Sequence, residues 1–151
     1  MLTRQKLGFI DRSVYASAAG VAKGAYVLAD ADGGAPDVVL MSSGSEVALV
    51  LEARTELAKR GVKARVVSVP SMELFRAQPK EYRDAVLPRG VRRLAIEAAH
   101  PASWWQLVGD EGEVIGVERY GASAPYARIY EELGLTVKRV VETAATMVGK
   151  R

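Results

Sequence analysis

A short apolar run, followed at once by a helical segment, is the feature that most constrains the fold of this chain. Residues 37–41, Asp-Val-Val-Leu-Met, place apolar side chains in succession without alternation, which is typical of a strand buried on both faces. After a loop at residues 42–46, apolar residues recur on one helical stripe that ends before Gly61. Ser43 and Glu46 have the spacing of a capping box, in which each side chain bonds the other residue's backbone N–H. We therefore predict a strand-loop-helix unit.

The same alternation of strand and helix patterns continues to the end of the chain. Apolar runs predict strands, and periodic apolar residues predict the helices between them, including one that starts at Pro125 and a last one capped by Thr136. Such alternation makes most strands parallel and places helices on both faces of the sheet. We predict a three-layer α/β/α sandwich over residues 24–151, with a mostly parallel five-stranded sheet built from strands near 25–29, 37–41, 62–69, 93–97 and 114–117.

The composition excludes several classes of site. The sequence has no cysteine and one histidine, so we expect no disulfide framework, thiolate site or zinc cluster. Its 21 basic and 18 acidic residues are interspersed, which does not indicate a nucleic-acid surface. No apolar run is long enough to cross a membrane, and the amino terminus lacks a secretory signal pattern. We expect a cytoplasmic protein that binds neither nucleic acid nor membrane.

The loop at Ser43, Gly44 and Ser45 is a candidate anion site. Backbone N–H groups at the start of a helix attract anions, and a small-residue loop gives an anion close access to them. Helix capping explains the same residues equally well. The P-loop lysine motif and the Gly-x-Gly-x-x-Gly motif after a strand are both missing from the sequence, so a nucleotide site is not predicted.

Glu97 ends the fourth predicted strand and His100 lies just beyond it, and both are candidates for acid-base chemistry. Histidine titrates near neutral pH, and Glu97 is the nearest carboxylate in sequence. On extended chain their side chains would point to opposite faces of the sheet, so a catalytic pair requires an immediate turn. The alternatives are a packing or surface histidine and a glutamate with a structural partner, because an acid beside apolar neighbours needs one.

Trp104 and Trp105 are adjacent on a predicted helical turn. Side chains of successive helical residues diverge by about 100 degrees, so these two cannot both enter the same core. Either one of them contacts another domain or subunit, or one is buried and the other is a surface aromatic residue.

Arg4 lies in a polar stretch that precedes the first predicted strand. The planar guanidinium group suits phosphate and carboxylate groups, so Arg4 could be an anion ligand. It could equally be a solvated residue near a frayed terminus. Residues 8–23 show no clear period and are expected to be a linker that lies on the surface.

Four segments, taken in order, resemble the carboxyl-terminal domain of the transketolase family. Residues 2–5, Leu-Thr-Arg-Gln, are similar to the family's Leu-Ser-Arg-Gln, and residues 44–47, Gly-Ser-Glu-Val, to its helix start. Residues 68–75, Ser-Val-Pro-Ser-Met-Glu-Leu-Phe, and 121–125, Gly-Ala-Ser-Ala-Pro, resemble two further family segments. The sequence departs from the family at 97–99, where Glu-Ala-Ala stands in place of Glu-Ala-Gly.

The resemblance implies a fragment of a larger enzyme. Transketolases of the pentose phosphate pathway use thiamine diphosphate and Mg²⁺ to move a two-carbon ketol unit from a ketose phosphate to an aldose phosphate. The resemblance implies that the missing amino-terminal and middle domains of a homodimer hold the cofactor and metal. Residues 1–23 would then be the end of the middle domain and a linker, and Arg4 matches the family arginine that binds the substrate phosphate. No catalytic, cofactor-binding or metal-binding residue is expected in this chain.

Two alternatives remain at this stage. One is an autonomous α/β domain that binds a small anion at the carboxyl edge of its sheet. The other is the third domain of a related thiamine enzyme, dihydroxyacetone synthase or deoxyxylulose phosphate synthase. The segments at 2–5 and 121–125 favour transketolase over these relatives.

Overall fold

The computed structural model describes residues 6–149, and Arg4 lies outside the described residues. One sheet contains the strands Tyr26–Ala29 (β1), Val38–Ser42 (β2), Ala64–Ser68 (β3), Arg92–Ile96 (β4) and Glu113–Ile115 (β5). Their spatial order is β1-β3-β2-β4-β5. The last four strands pair in parallel, whereas β1 runs antiparallel to β3 at one edge. The predicted mostly parallel five-stranded sheet is confirmed.

Helices occupy most of the connections between these strands. None of the helices within residues 6–149 combines the length and apolar character that a membrane crossing requires. Two short 3-10 helices lie at Ala18–Lys23 and Pro101–Ser103. The α-helices are Glu46–Lys59 (α1), Met72–Arg76 (α2), Lys80–Val86 (α3), Trp105–Val108 (α4), Tyr126–Glu132 (α5) and Val137–Met147 (α6).

The sheet separates two hydrophobic cores. On one face α1 and α6 pack against alternate strand residues such as Leu40 and Leu94. On the other face the intervening strand residues, including Val39 and Met41, pack against apolar side chains of α2, α3 and α4. The uninterrupted apolar run of β2 is therefore required, because both faces of this central strand are covered. The three-layer arrangement agrees with the sequence-based prediction.

The structure confirms one predicted helix start and contradicts another. The Thr136 hydroxyl accepts the Arg139 N–H at 3.2 Å, so this residue caps α6 as predicted. The capping box at Ser43 and Glu46 is wrong: Ser45 is the N-cap residue of α1, and its side chain makes no capping bond. The Ser43 hydroxyl donates a hydrogen bond to Glu97 instead, because the carboxyl group at the end of β4 lies next to Ser43.

The amino-terminal segment packs along the outer strand of the sheet. The Ala16 N–H donates to the Leu28 carbonyl at 3.0 Å. Leu28 sits at an irregularity in β1, where the register skips from Val27 to Ala29 and leaves this residue without a partner in β3. The Arg12 guanidinium donates to the Tyr26 hydroxyl at 3.2 Å. This segment, expected to be a surface linker, therefore satisfies an edge group of the sheet.

A partly buried arginine ties two helix ends to β4. The Arg93 guanidinium donates to the carbonyls of Leu107 at 2.8 Å, Leu87 at 2.9 Å and Pro88 at 3.2 Å. These carbonyls lie at the carboxyl-terminal ends of α3 and α4, where helices leave acceptors without internal partners. Arg93 thus supplies a cation at the negative ends of both helix dipoles.

Candidate functional site

The strand order reverses between β2 and β4, and we call the space between the loops after these two strands the crevice. The chain moves from β2 to β3 on one side, and then crosses to β4 on the other side of β2. Helix α1 after β2 packs on one face of the sheet, while α4 after β4 packs on the opposite face. The loops after β2 and β4 therefore diverge, which is the place where open α/β sheets usually bind ligands.

Two glutamates meet in this crevice. Glu46, the first residue of α1, is 1% exposed, and its carboxyl lies within hydrogen-bonding reach of Glu97, which follows β4. The Ser43 hydroxyl donates to Glu97 Oε2 at 2.6 Å, and the Ser45 hydroxyl donates to Glu46 Oε1 at 2.7 Å. The Tyr130 hydroxyl of α5 also donates to Glu46 Oε1. We name these five residues the carboxyl cluster.

The cluster shifts the titration of two of its members. Burial first, and then the neighbouring charge of Glu46, raise the pKa of Glu97 to about 7, against the opposing effect of the Ser43 hydrogen bond. Burial raises the pKa of Tyr130 to about 12, with the charges of Glu46 and Glu97 adding to the effect. Glu97 therefore holds a proton in a pH range in which an exposed glutamate is ionised.

This geometry disfavours the anion loop predicted at Ser43, Gly44 and Ser45. Both serine hydroxyls are engaged by carboxyl groups, and a bound anion would lie beside Glu46 and Glu97. Like charges at such distances repel, and in the described part of the chain neither glutamate has a basic partner to offset this. The arrangement suits the holding of a proton better than the binding of an anion.

A cavity of about 800 Å³ adjoins the cluster through Tyr130. Its walls include Ala98 and Ala99 of the loop after β4 and apolar side chains of α5, and its rim includes His100 and Arg119. His100 Nδ1 accepts the Ala102 N–H at 3.3 Å, while Glu97 bonds Ser43. Thus His100 is an exposed residue at the start of a 3-10 helix, and the two candidates form no hydrogen bond to each other among residues 6–149.

The sequence points to four of the five cluster residues, with Tyr130 as the exception, but it indicates other roles for Ser43, Ser45 and Glu46. Glu97 was expected to need a partner, and Ser43 provides it. The sequence predicts a capping role for Glu46, and the structure shows a buried residue that bonds Ser45 and Tyr130 instead. Tyr130 gave no sequence signal, because its partner lies 84 residues away in the chain. The one sequence sign of the burial of Glu46 is its position directly at the start of an otherwise apolar helix face.

Comparison with known proteins assigns this fold. Residues 24–136 match the family model described as the transketolase-like C-terminal domain. The chain belongs to this transketolase domain family. The transketolase of Bacillus subtilis is 45% identical over 151 residues, which are 99% of this chain and 23% of that protein. The chain thus spans about a quarter of the length of this curated relative.

Solved transketolase structures share the architecture. A transketolase variant from Pichia stipitis superposes with a TM-score of 0.86 at 33% identity, covering 97% of this chain and 20% of that one. A second Pichia stipitis transketolase, described as a complex with sedoheptulose 7-phosphate, has a TM-score of 0.77 at 35% identity and covers 84% of this chain and 18% of that one. The α/β fold described above is therefore the transketolase C-terminal domain fold.

Proposed function

We propose that this chain serves as the C-terminal domain of a thiamine diphosphate-dependent transketolase. The parent enzyme would transfer a two-carbon ketol unit from a ketose phosphate to an aldose phosphate in the cytoplasm. The observation that carries the proposal is the 45% identity to Bacillus subtilis transketolase over 99% of this chain. The Pichia stipitis relative in complex with sedoheptulose 7-phosphate supports a sugar phosphate substrate.

The division of labour within that enzyme follows from the same proposal. Residues 24–151 form the third domain, and residues 1–23 connect it to the middle domain. Arg4 binds the phosphate of the sugar substrate through a charge-assisted, forked contact. The amino-terminal and middle domains of a homodimer supply the catalytic groups, so the present domain has a structural or regulatory role.

The residues of the candidate site do not fit thiamine diphosphate. A diphosphate needs cations or a cradle of backbone N–H groups, and its metal ion brings a further charge to the site. The crevice presents two carboxyl groups, and no lysine, arginine or histidine within residues 6–149 forms an ion pair or hydrogen bond with either of them. We therefore place cofactor and Mg²⁺ binding in the other domains of the parent and expect this chain alone to be inactive.

A chimera tests the proposal most directly. This chain would replace the matching C-terminal part of Bacillus subtilis transketolase, with which it aligns over 151 residues. We expect the chimera to transfer ketol groups between sugar phosphates, and a truncated enzyme without this domain provides the control. A chimera that folds and dimerises but transfers no ketol group would overturn the proposal.

Calorimetry on the isolated chain tests the division of labour. Titration with thiamine diphosphate in the presence of Mg²⁺ should give no saturable heat, because the described residues lack a diphosphate site. The active chimera, titrated under the same conditions, is the positive control. Tight binding to the isolated chain would contradict the assignment of the cofactor to other domains.

A further inference from the structure

The carboxyl cluster brings two acidic groups together without a neutralising cation. Glu46 and Glu97 approach within hydrogen-bonding reach in a crevice that leaves Glu46 1% exposed. No lysine, arginine or histidine among residues 6–149 forms an ion pair or hydrogen bond with either carboxyl group. Two ionised carboxylates at this separation repel strongly in a poorly solvated site, so one of them must carry a proton.

The helix start and its hydrogen bonds indicate which carboxyl group is protonated. Glu46 accepts two hydroxyl protons, from Ser45 and Tyr130, and lies in the first turn of α1, where the helix dipole favours a negative charge. Glu97 accepts a hydrogen bond from the Ser43 hydroxyl at its Oε2 atom and has the Ala98 backbone N–H beside it, but no helix begins there to favour its charge. We infer that protonated Glu97 donates a hydrogen bond to Glu46, and that this bond holds the loops after β2 and β4 together as a pH-sensitive contact beneath α5.

The other groups around the pair are neutral or exposed to solvent. Helix α5 contributes Tyr130, whose hydroxyl is neutral across the physiological range. The two loops contribute serine hydroxyls. The nearby cavity brings Glu118, Arg119 and His100 to its rim, and these residues are exposed to solvent. A second cavity, which Ser45 and Tyr130 line, brings Lys6, Glu52 and Glu131, which are also exposed. The carboxyl group of Glu97 is therefore the group that titrates inside the crevice.

Loss of this proton should loosen one side of the cavity. A second negative charge beside Glu46 removes the carboxyl-carboxylate hydrogen bond and adds repulsion between β4 and α1. Tyr130 bonds Glu46 and also lines the cavity, so a displacement of Glu46 reaches α5 directly. The inference is independent of ketol transfer, since it concerns residues that are not assigned to the reaction.

The pH dependence of stability has a defined sign. The folded protein raises the pKa of Glu97 to about 7 from an ordinary value of 4.5, so the folded state retains a proton that the unfolded chain releases. The stabilisation is fully present below about pH 4.5 and is lost as the pH rises to about 7. The unfolding equilibrium constant should rise over this window by on the order of a hundredfold from this group.

Glu97→Gln keeps the geometry of the contact with Glu46 but removes the titrating proton. The glutamine amide can donate to Glu46 and accept from Ser43, so it mimics the protonated acid at every pH. We expect denaturant unfolding of this variant to lack the loss of stability between about pH 4.5 and about pH 7 that the unmodified chain shows. Glu52→Gln, an exposed position on the same helix, is the matched control and should follow the unmodified chain.

Infrared spectroscopy provides a readout that does not depend on the variant's stability. At about pH 6 the unmodified chain should show the carbonyl band of a protonated carboxyl group, and the band should disappear on titration through about pH 7. The band should be missing in Glu97→Gln and present in Glu52→Gln. A spectrum of the unmodified chain with no protonated carboxyl at about pH 6 would overturn the inference. Equal pH dependence of stability in both variants would overturn it as well.

Discussion

The Tyr130 hydroxyl donates a hydrogen bond to the Glu46 carboxyl and so links α5 to the start of α1. Helix α5 is seven residues long and contains no fully buried residue, so apolar packing holds it less firmly than it holds α1 or α6. The side chain of Tyr130 nevertheless packs against the core that these helices form. This one residue therefore provides both a polar and an apolar attachment for α5.

Removal of the Tyr130 hydroxyl should weaken the attachment of α5. Tyr130→Phe keeps the ring but leaves a buried carboxyl group with one donor fewer, at a cost of about 1 to 3 kcal/mol in unfolding free energy. Amide exchange should accelerate in α5 and stay unchanged in β2. Tyr126→Phe, at a half-exposed position that keeps its ring contact with Tyr130, is the control. Equal stability losses in the two variants would argue against a structural role for the bond to Glu46.

The adjacent tryptophans should differ sharply in their contribution to stability. Trp104 is 2% exposed and belongs to the core beneath α4, whereas Trp105 is 49% exposed. Trp104→Ala should cost about 3 to 5 kcal/mol through cavity formation, and Trp105→Ala less than about 1 kcal/mol in the isolated chain. Urea unfolding of both variants measures this. A large loss for Trp105→Ala would show that its exposed ring stabilises the domain in solution.

Arg93 and its neighbour Arg92 form a second matched pair. Arg93 donates to three carbonyl groups at the ends of two helices, while Arg92 forms a loose ion pair with Glu111 at 3.6 Å on the surface. Arg93→Met should lower the unfolding free energy by about 2 to 3 kcal/mol, because buried carbonyls lose a charged donor. Arg92→Met should change it by about 0.5 kcal/mol or less. Similar values for both would mean that water replaces the Arg93 contacts without loss.

Arg4 is the position at which the proposed function makes a kinetic prediction. In the full-length enzyme, Arg4→Ala should raise the barrier for phosphorylated sugars by about 1.5 to 3 kcal/mol, because a charge-assisted phosphate contact is lost. The effect should appear mainly in KM, and in kcat as well if phosphate binding positions the reacting carbon. Glycolaldehyde, an unphosphorylated acceptor, should be least affected on the acceptor side.

Lys6→Ala serves as the control for a general loss of positive charge near Arg4, because Lys6 is an exposed residue two positions away. Its kinetics with sugar phosphates should stay close to those of the unmodified enzyme. If Arg4→Ala behaved in the same way, the assignment of Arg4 to the substrate phosphate would be wrong, while the domain assignment would stand.

Local patterns were sufficient for most of the architecture. The apolar run of β2 required helices on both faces, and Thr136 marked the start of α6 through its own side-chain chemistry. Such signals lie within a few residues of the feature that they predict, so one sequence contains them in full. The separation of Trp104 from Trp105 belongs to the same class, because it follows from helix geometry alone.

Relationships between distant segments could not be predicted in this way. The partner of the Ser43 hydroxyl is 54 residues away, and a capping box predicted from local spacing could not anticipate a carboxyl group from β4. The antiparallel direction of β1 also depends on strand pairing that no periodicity encodes. The candidate site consists largely of such contacts, which explains why the sequence indicated Glu97 but neither the burial of Glu46 nor the role of Tyr130.

The hydrogen bond from Ala16 to Leu28 bears on how this domain should be delimited for expression. The family model begins at residue 24, but the group that covers an unpaired carbonyl of the outer strand lies eight residues earlier. A fragment cut at residue 24 would expose an edge strand that is free to pair with strands of other molecules. Self-association and precipitation of such a fragment would therefore reflect the position of the cut, and a fragment that retains residues 6–23 would stay dispersed.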